Sequence, residues 1–146
     1  MTAEAELAAL YQNDLRQWAA QVRNDRRLVP AEVSVTRTSR TCGSSVTLDI
    51  RCDNEKILEL GWRTRACTLG MASTSIVVRH APCRSFVEIA QTAEALRRLL
   101  AGEDVAFPEQ WKELARFAAA RNFPTRHNSI MLPFEALAEA AKTATL

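Results

Sequence analysis

The sequence predicts an α+β fold: an N-terminal helix, a three-stranded antiparallel sheet, and about four helices packed on one face of the sheet. Three successive spacings of apolar residues indicate this order. Apolar residues recur every three or four positions before residue 24, every second position from Val33 to Thr64, and every three or four again after Cys67. A chain of 146 residues that is 47% apolar and 25% charged suits a single domain covering residues 1–146.

The first helix is predicted from one apolar stripe. Its members lie three or four residues apart, as one helix face requires; they are Leu7, Tyr11, Leu15, Trp18 and Val22. We expect the helix to end near Asn24, and Pro30 prevents it from resuming because proline has no backbone N–H to donate.

Alternation of apolar and polar residues predicts three strands, at 33–36, 45–51 and 57–62. The turn-forming residues of Asp53-Asn-Glu55 separate the second strand from the third. These two strands should therefore pair as an antiparallel hairpin. Because polar residues occupy every second position, we expect one face of the sheet to be solvated.

Two helices are predicted directly after the sheet. The first carries an apolar face and ends before Pro82; that face contains Leu69, Ala72, Ile76 and Val77. Ser85 and Glu88 form a capping-box pattern that opens the second helix, and Gly102 closes it.

Two more helices are predicted near the C-terminus. One follows Pro108, carries the apolar residues Trp111, Leu114 and Phe117, and stops near Asn122. For the last helix we expect Pro133 to occupy the first helical position, where its fixed φ angle is suitable and its missing N–H costs nothing.

Charge and composition exclude several classes of function. The 19 basic and 17 acidic side chains give a net charge of +2 and are interspersed, so no nucleic-acid partner is expected. No apolar run reaches the roughly 18 residues that a membrane span needs. The acidic N-terminus does not resemble a secretion signal, which predicts a cytoplasmic protein whose four cysteines are thiols or ligands.

Two of the cysteines occupy positions that favour chemistry. Cys42 precedes Gly43 in a loop leading into a strand, which predicts an exposed sulfur. Cys67 lies between a strand and a helix, where unpaired N–H groups and the helix dipole stabilise a thiolate. Cys52 and Cys83 have no such setting. The alternative for any single cysteine is a small buried hydrophobic residue.

Taken together, these motifs resemble the IscU/SufU/NifU N-terminal family of iron–sulfur cluster assembly scaffolds. The resemblance rests on Cys42-Gly, the hairpin, and Cys67 ahead of the helical run Met71-Ala-Ser-Thr-Ser75. Near the C-terminus, Phe123-Pro-Thr-Arg126 and Leu132-Pro-Phe-Glu-Ala-Leu137 are similar to SufU-type sequences. Residues 101–121 correspond to an insertion typical of SufU-type members.

The resemblance implies a non-enzymatic scaffold that carries a transient iron–sulfur cluster, or zinc or iron. Family members use three cysteines and one aspartate as ligands. Here Ser44 occupies the aspartate position and Ser129 the third cysteine position, so Cys42 and Cys67 remain. His127 lies close enough in sequence to offer an imidazole, although a capping or surface role is the alternative.

Three functional hypotheses follow from this resemblance. In the first, the chain is a divergent scaffold or accessory protein that receives sulfur, iron or both on Cys42 and Cys67. Its partner would be a cysteine desulfurase, with other iron–sulfur assembly proteins or a second copy supplying missing ligands. In the second, the fold has lost metal binding and acts as an interaction or regulatory module. In the third, the chain accepts sulfur and thereby stimulates a cysteine desulfurase.

Overall fold

A computed structural model describes residues 13–144 and confirms the predicted order of elements. Leu7 and Tyr11 of the first apolar stripe lie outside the described residues. The elements are α1 (Asn13–Ala20), β1 (Val33–Thr38), β2 (Ser45–Cys52), β3 (Ile57–Arg65), α2 (Thr68–His80), α3 (Phe86–Leu100), a 3-10 helix (Glu109–Ala120), a 3-10 turn (Pro124–Arg126) and α4 (His127–Ala144). Within residues 13–144, no helix is long and apolar enough to cross a membrane.

The three strands form one antiparallel sheet in the order β1-β2-β3. The predicted turn joins β2 to β3, and the N–H groups of Glu55 and Lys56 donate to Asp53 Oδ1 at 2.9 and 2.8 Å. One face of the sheet packs against the helices through a set of buried apolar residues: Val35, Val46, Leu48, Ile50 and Leu60. This half of the sheet prediction is confirmed.

The opposite face is not fully solvated, contrary to expectation. Residues 22–32, which we name the strap, run across it from β3 to β1. Arg26 exchanges two backbone hydrogen bonds with Trp62 at the edge of β3, and Leu28 N–H donates to Asp49 Oδ2 in β2. A Cβ on Gly61 would lie 2.6 Å from the Arg26 carbonyl oxygen, so only glycine leaves room for the strap there. As a result, Asp49 is 1% exposed.

The helices after the sheet match the prediction in position. All four expected apolar residues of α2 are fully buried. At the start of α3, Ser85 Oγ accepts from the Glu88 N–H at 3.0 Å, as the capping pattern predicts. The Glu88 carboxylate, however, accepts from Trp111 Nε1 at 2.9 Å. The bond satisfies the N–H of the fully buried Trp111. The Glu88 side chain therefore does not reach back to the Ser85 N–H, which is the second hydrogen bond of a capping box.

Two predictions near the C-terminus need correction. The helix after Pro108 is a 3-10 helix, and its buried residues are spaced by three, as a 3-10 helix requires; they are Trp111, Leu114, Phe117 and Ala120. Pro133 is not at the first helical position, because α4 begins at His127 and contains Pro133 in its interior. The proline that opens this region is Pro124, in the 3-10 turn. Ser129 therefore lies in the first turn of α4 rather than ahead of it.

Candidate thiol site

Cys42 lies in the tight loop between β1 and β2, as predicted. The Ser39 N–H donates to the Ser44 carbonyl at 2.7 Å, and the Gly43 N–H donates to the Ser39 carbonyl at 3.0 Å. Gly43 has a φ angle of +72°, a conformation that residues with a Cβ rarely adopt. The loop leaves Cys42 exposed. The glycine thus allows the chain to reverse while keeping Cys42 at the surface.

Two serine side chains contact the Cys42 sulfur. Cys42 Sγ lies 2.8 Å from Ser129 Oγ and donates to Ser44 Oγ at 3.1 Å. The two hydroxyls are also joined, since Ser129 Oγ donates to Ser44 Oγ at 3.3 Å. Ser44 and Ser129 are 4% and 0% exposed, so both serines are shielded from water beneath Cys42, which is itself an exposed residue. The structure therefore brings together Cys42 and both serines singled out in the sequence.

Close packing of α2 against the first turn of α4 places Ser129 beneath the loop. A Cβ on Gly70 would lie 3.3 Å from the Ser129 carbonyl oxygen, and Ser73 Oγ donates to the Ile130 carbonyl at 2.6 Å. Small residues at these positions let the two helices approach closely. The serine-rich run of α2 therefore supports the thiol site through packing rather than through direct contact with the sulfur.

Cys67 belongs to the same network through its backbone. It precedes α2 at the expected junction between strand and helix, and its N–H donates to Ser44 Oγ at 3.3 Å. Its side chain is partly buried against the hydrophobic core. Ser44 thus links the Cys42 sulfur to the backbone of the second cysteine.

The hydrogen bonds make Cys42 unusually acidic. Burial raises the pKa of the thiol, but hydrogen bonding with the Ser129, Ser44 and Ser39 side chains and with the Ser44 backbone outweighs it and lowers the pKa from 9.0 to about 6. In the thiol form Cys42 Sγ donates to Ser44 Oγ; once the thiol proton is lost, the serine hydroxyls turn to donate to the sulfur. At neutral pH the sulfur is mostly thiolate, the form that attacks electrophiles and binds metals. Sequence reasoning expected activation at Cys67 by a helix terminus and missed the serines as activating groups. One sequence signal could have pointed to these serines: the resemblance places both of them at ligand positions.

The remaining candidates lie apart from this network. His127 Nε2 is 2.8 Å from the Ala120 carbonyl oxygen, which holds the imidazole at the end of the 3-10 helix. Cys52 is partly buried, and burial raises the pKa of its thiol. Cys83 is exposed in the turn before α3. Among residues 13–144, no group of three or more histidine, cysteine, aspartate or glutamate side chains is placed to hold a metal ion. The residues present therefore do not form a complete four-ligand zinc or iron site.

The fold and the site together define a class of α+β proteins with one cysteine in the first sheet loop and another at the start of the following helix. The family model described as the NifU-like N terminal domain matches residues 11–128. The chain belongs to this family, and the resemblance seen in the motifs is confirmed.

Comparisons with individual proteins agree with this membership. The chain is 26% identical over 109 residues to the iron–sulfur cluster assembly scaffold protein IscU of Streptococcus pyogenes serotype M1, covering 75% of this chain and 69% of the relative. The N-terminal part of a NifU-like protein from Brucella abortus has a TM-score of 0.88 at 23% identity and covers 96% of both chains. A putative SUF-system scaffold from Fervidobacterium islandicum AW-1 has a TM-score of 0.82 at 18% identity, covering 90% of this chain and 96% of the other. These two structures share the fold.

Proposed function

We propose that this chain is a divergent iron–sulfur cluster assembly protein that accepts sulfur on Cys42 from a cysteine desulfurase. The observation that carries the proposal is the hydrogen-bonded thiol of Cys42, an exposed residue whose thiol has a pKa of about 6. A sulfur acceptor must meet its donor at an exposed position and must be a thiolate at the pH of the cell. The family and the scaffold named among its relatives supply the context of iron–sulfur assembly.

Sulfur transfer to Cys42 needs no external oxidant or reductant. The Cys42 thiolate attacks the terminal sulfur of a persulfide on the desulfurase, and a new S–S bond forms at Cys42. The S–S bond of the donor breaks, and the donor cysteine leaves as a thiolate. Before the attack, the hydroxyl of Ser129, 2.8 Å away, stabilises the negative charge on Cys42 Sγ.

A second candidate is transient binding of iron, zinc or a cluster by Cys42 together with Cys67. The contact of the Cys67 N–H with Ser44 favours it, because this contact keeps the second cysteine beside the first. The two serine hydroxyls are weak ligands, since a hydroxyl gives up its proton reluctantly. The remaining donors would therefore come from a partner protein or from a second copy of the chain. Sulfur acceptance needs no additional ligands, and for this reason we rank it first.

Three finer points belong to the same proposal. The chain acts as a carrier and not as an enzyme, because the site offers an acceptor thiolate without a separate general base. Residues 1–146 act as one domain. The protein works in the cytoplasm, where a reducing environment keeps its four cysteines as thiols.

A transfer assay tests sulfur acceptance. The protein is incubated with a cysteine desulfurase and L-cysteine, and its cysteine peptides are then read by mass spectrometry without reductant. We expect the Cys42 peptide to gain the mass of one sulfur atom, and Cys42→Ser to abolish that gain. The matched control is Cys83→Ser, which removes an exposed cysteine outside the network. Equal labelling of Cys83 and Cys42, or no labelling of Cys42, would contradict the proposal.

Metal analysis tests the second candidate. Protein purified without oxygen is assayed for iron and zinc, alone and after incubation with the desulfurase. Metal that is retained by the wild type and lost in both Cys42→Ser and Cys67→Ser would support shared ligation. Absence of metal in both samples, together with sulfur on Cys42, would leave sulfur acceptance as the function. Absence of both would favour an interaction or regulatory module.

A further inference from the structure

A cavity of about 320 Å³ lies away from the thiol site, among the strap, β3 and the C-terminal half of α2. Ser75 lines it and follows Cys67 by eight residues, which corresponds to about 12 Å along a helix. Five other lining residues carry the argument: Gln21, Arg26, Glu59, Trp62 and Arg79. The cavity is at the lower end of the size range of small-molecule sites.

Ser75 contributes a buried hydroxyl that lacks a partner. The residue is 1% exposed, and its Oγ has no hydrogen-bond partner within the described part of the chain. Its neighbours differ: Ser73 Oγ donates to the Ile130 carbonyl, and Thr74 Oγ1 donates to the Gly70 carbonyl. Buried polar groups are nearly always paired in native proteins. Ser75 borders the cavity, and an acceptor bound there is one way to satisfy its hydroxyl.

The charges around the cavity favour an anion. Within residues 13–144, neither Arg26 nor Arg79 forms an ion pair with a carboxylate. The ion pairs of this part of the chain involve other arginines and a lysine, for example Arg27, Arg51 and Arg84. Each guanidinium instead lies over a tryptophan ring at 5.9 Å, Arg26 over Trp62 and Arg79 over Trp18. The one carboxylate in the lining, Glu59, is already compensated by an ion pair with Arg51 at 3.1 Å. Two guanidinium groups without an ion pair within residues 13–144 thus line the cavity.

The other lining groups add donors and an apolar wall. Ser75 and the Gln21 amide supply further hydrogen-bond donors. The Trp62 indole N–H already donates to the Asn24 carbonyl at 2.9 Å, so its ring serves as a wall together with Leu60 and Val78. A guanidinium matches the geometry of a carboxylate or a phosphate.

We propose that this cavity binds a small organic anion. Its carboxylate or phosphate group pairs with Arg26 and Arg79 and accepts a hydrogen bond from the Ser75 hydroxyl. The site is independent of the sulfur-accepting role of Cys42, since none of its lining residues belongs to the thiol network. Binding there supplies an acceptor for the unpaired Ser75 hydroxyl and offsets the positive charge of the two guanidinium groups. The apolar wall selects an organic anion over a bare inorganic one.

An NMR titration of the full chain tests this site. Succinate and glycerol 3-phosphate serve as the carboxylate and phosphate probes, and inorganic phosphate and chloride report binding by charge alone. We expect saturable shifts of the Ser75 amide and the Trp62 indole N–H with one of the two organic probes, and weaker binding of inorganic phosphate. The buried Trp111 indole should stay fixed and shows that the fold is intact.

Variants decide whether the named residues form the site. Arg79→Gln and Arg26→Gln should each weaken binding by about tenfold, since each removes a charged hydrogen-bond donor. Ser75→Ala should weaken it by about threefold or more. Arg97→Gln, an exposed arginine on α3 paired with Glu94, is the matched control and should bind as the wild type does. Absence of saturable shifts with both organic probes, or unchanged affinity in Arg79→Gln with the Trp111 signal in place, would overturn the proposal.

Discussion

At the scale of single residues, two serines define the surroundings of Cys42. The sequence resemblance predicts that Ser44 and Ser129 occupy the positions of an aspartate and a third cysteine, and neither hydroxyl is a good metal ligand. In the folded chain both contact the Cys42 sulfur, at 3.1 and 2.8 Å. What looks in the sequence like a loss of ligands is, in three dimensions, a set of hydrogen bonds that favours a thiolate.

The acidity of Cys42 is the first testable consequence. Ser129→Ala removes one hydroxyl that lowers the pKa, so the pKa of Cys42 should rise from about 6 toward its ordinary value of 9.0. The rate at which iodoacetamide alkylates the Cys42 peptide, measured from pH 5 to 10, gives this pKa as its midpoint. Thr36→Ala, which removes a hydroxyl on β1 that pairs with Thr47, should leave the midpoint unchanged. A midpoint near 6 in Ser129→Ala would show that the hydroxyl is not responsible.

At the scale of elements, close approaches of backbone decide how the pieces join. Gly70 lets α2 approach the first turn of α4, and Gly61 lets the strap cross the sheet. Apolar periodicity predicted the helices and strands themselves, because repeats of two and of three to four reflect which side of an element is buried. It did not predict the strap, whose backbone carbonyl and amide groups contact the sheet and leave no periodic pattern. It also placed the start of the last helix at Pro133 instead of at His127.

Replacement of Gly61 tests the strap. In Gly61→Ala the new Cβ would meet the Arg26 carbonyl oxygen at 2.6 Å and the Leu28 nitrogen at 2.7 Å, so the backbone of the strap must move. We expect the free energy of unfolding to fall by about 1–3 kcal/mol, the usual cost of overpacking. Urea denaturation followed by circular dichroism measures it. Leu58→Ala, at a neighbouring position of β3 that is 54% exposed, should change stability by much less. Equal stability of Gly61→Ala and the wild type would mean that the backbone of the strap can move without a loss of stability.

At the scale of the whole molecule, one buried carboxylate joins the strap, β1 and β2. Asp49 accepts from Arg27 Nε at 2.7 Å, Arg27 Nη2 at 3.0 Å, the Leu28 N–H at 3.0 Å and Ser34 Oγ at 2.6 Å. The Arg27 hydrogen bond, opposed by burial and helped by Ser34 and the Leu28 N–H, lowers the pKa of Asp49 from 3.8 to about 2. Stability that depends on this charge is complete above about pH 4 and is lost as the pH falls through about 2.

Asp49→Asn should therefore weaken the whole fold at neutral pH and flatten its response to acid. We expect the free energy of unfolding at pH 7 to fall by about 2 kcal/mol or more, because the amide replaces an acceptor with a donor facing other donors. Between pH 4 and pH 2 the wild type should lose stability more steeply than the variant. Urea titrations at pH 2.5, 4 and 7 measure both effects. Glu94→Gln, at an exposed side chain, is the control; parallel acid curves for wild type and Asp49→Asn would contradict this role.

The sequence by itself determined the order of elements, the hairpin, and the positions of Cys42 and Cys67, because these depend on contacts between near neighbours along the chain. It indicated the family for the same reason, since the motifs are local. Only the tertiary structure decided which groups surround the Cys42 sulfur: Ser129 lies 87 positions after Cys42 and reaches it because α2 and α4 pack closely. The same holds for the unpaired Ser75 hydroxyl and for the burial of Asp49. The pKa of a side chain, and whether a buried donor finds a partner, depend on which distant groups the fold brings within hydrogen-bond distance. Local sequence patterns do not contain that information.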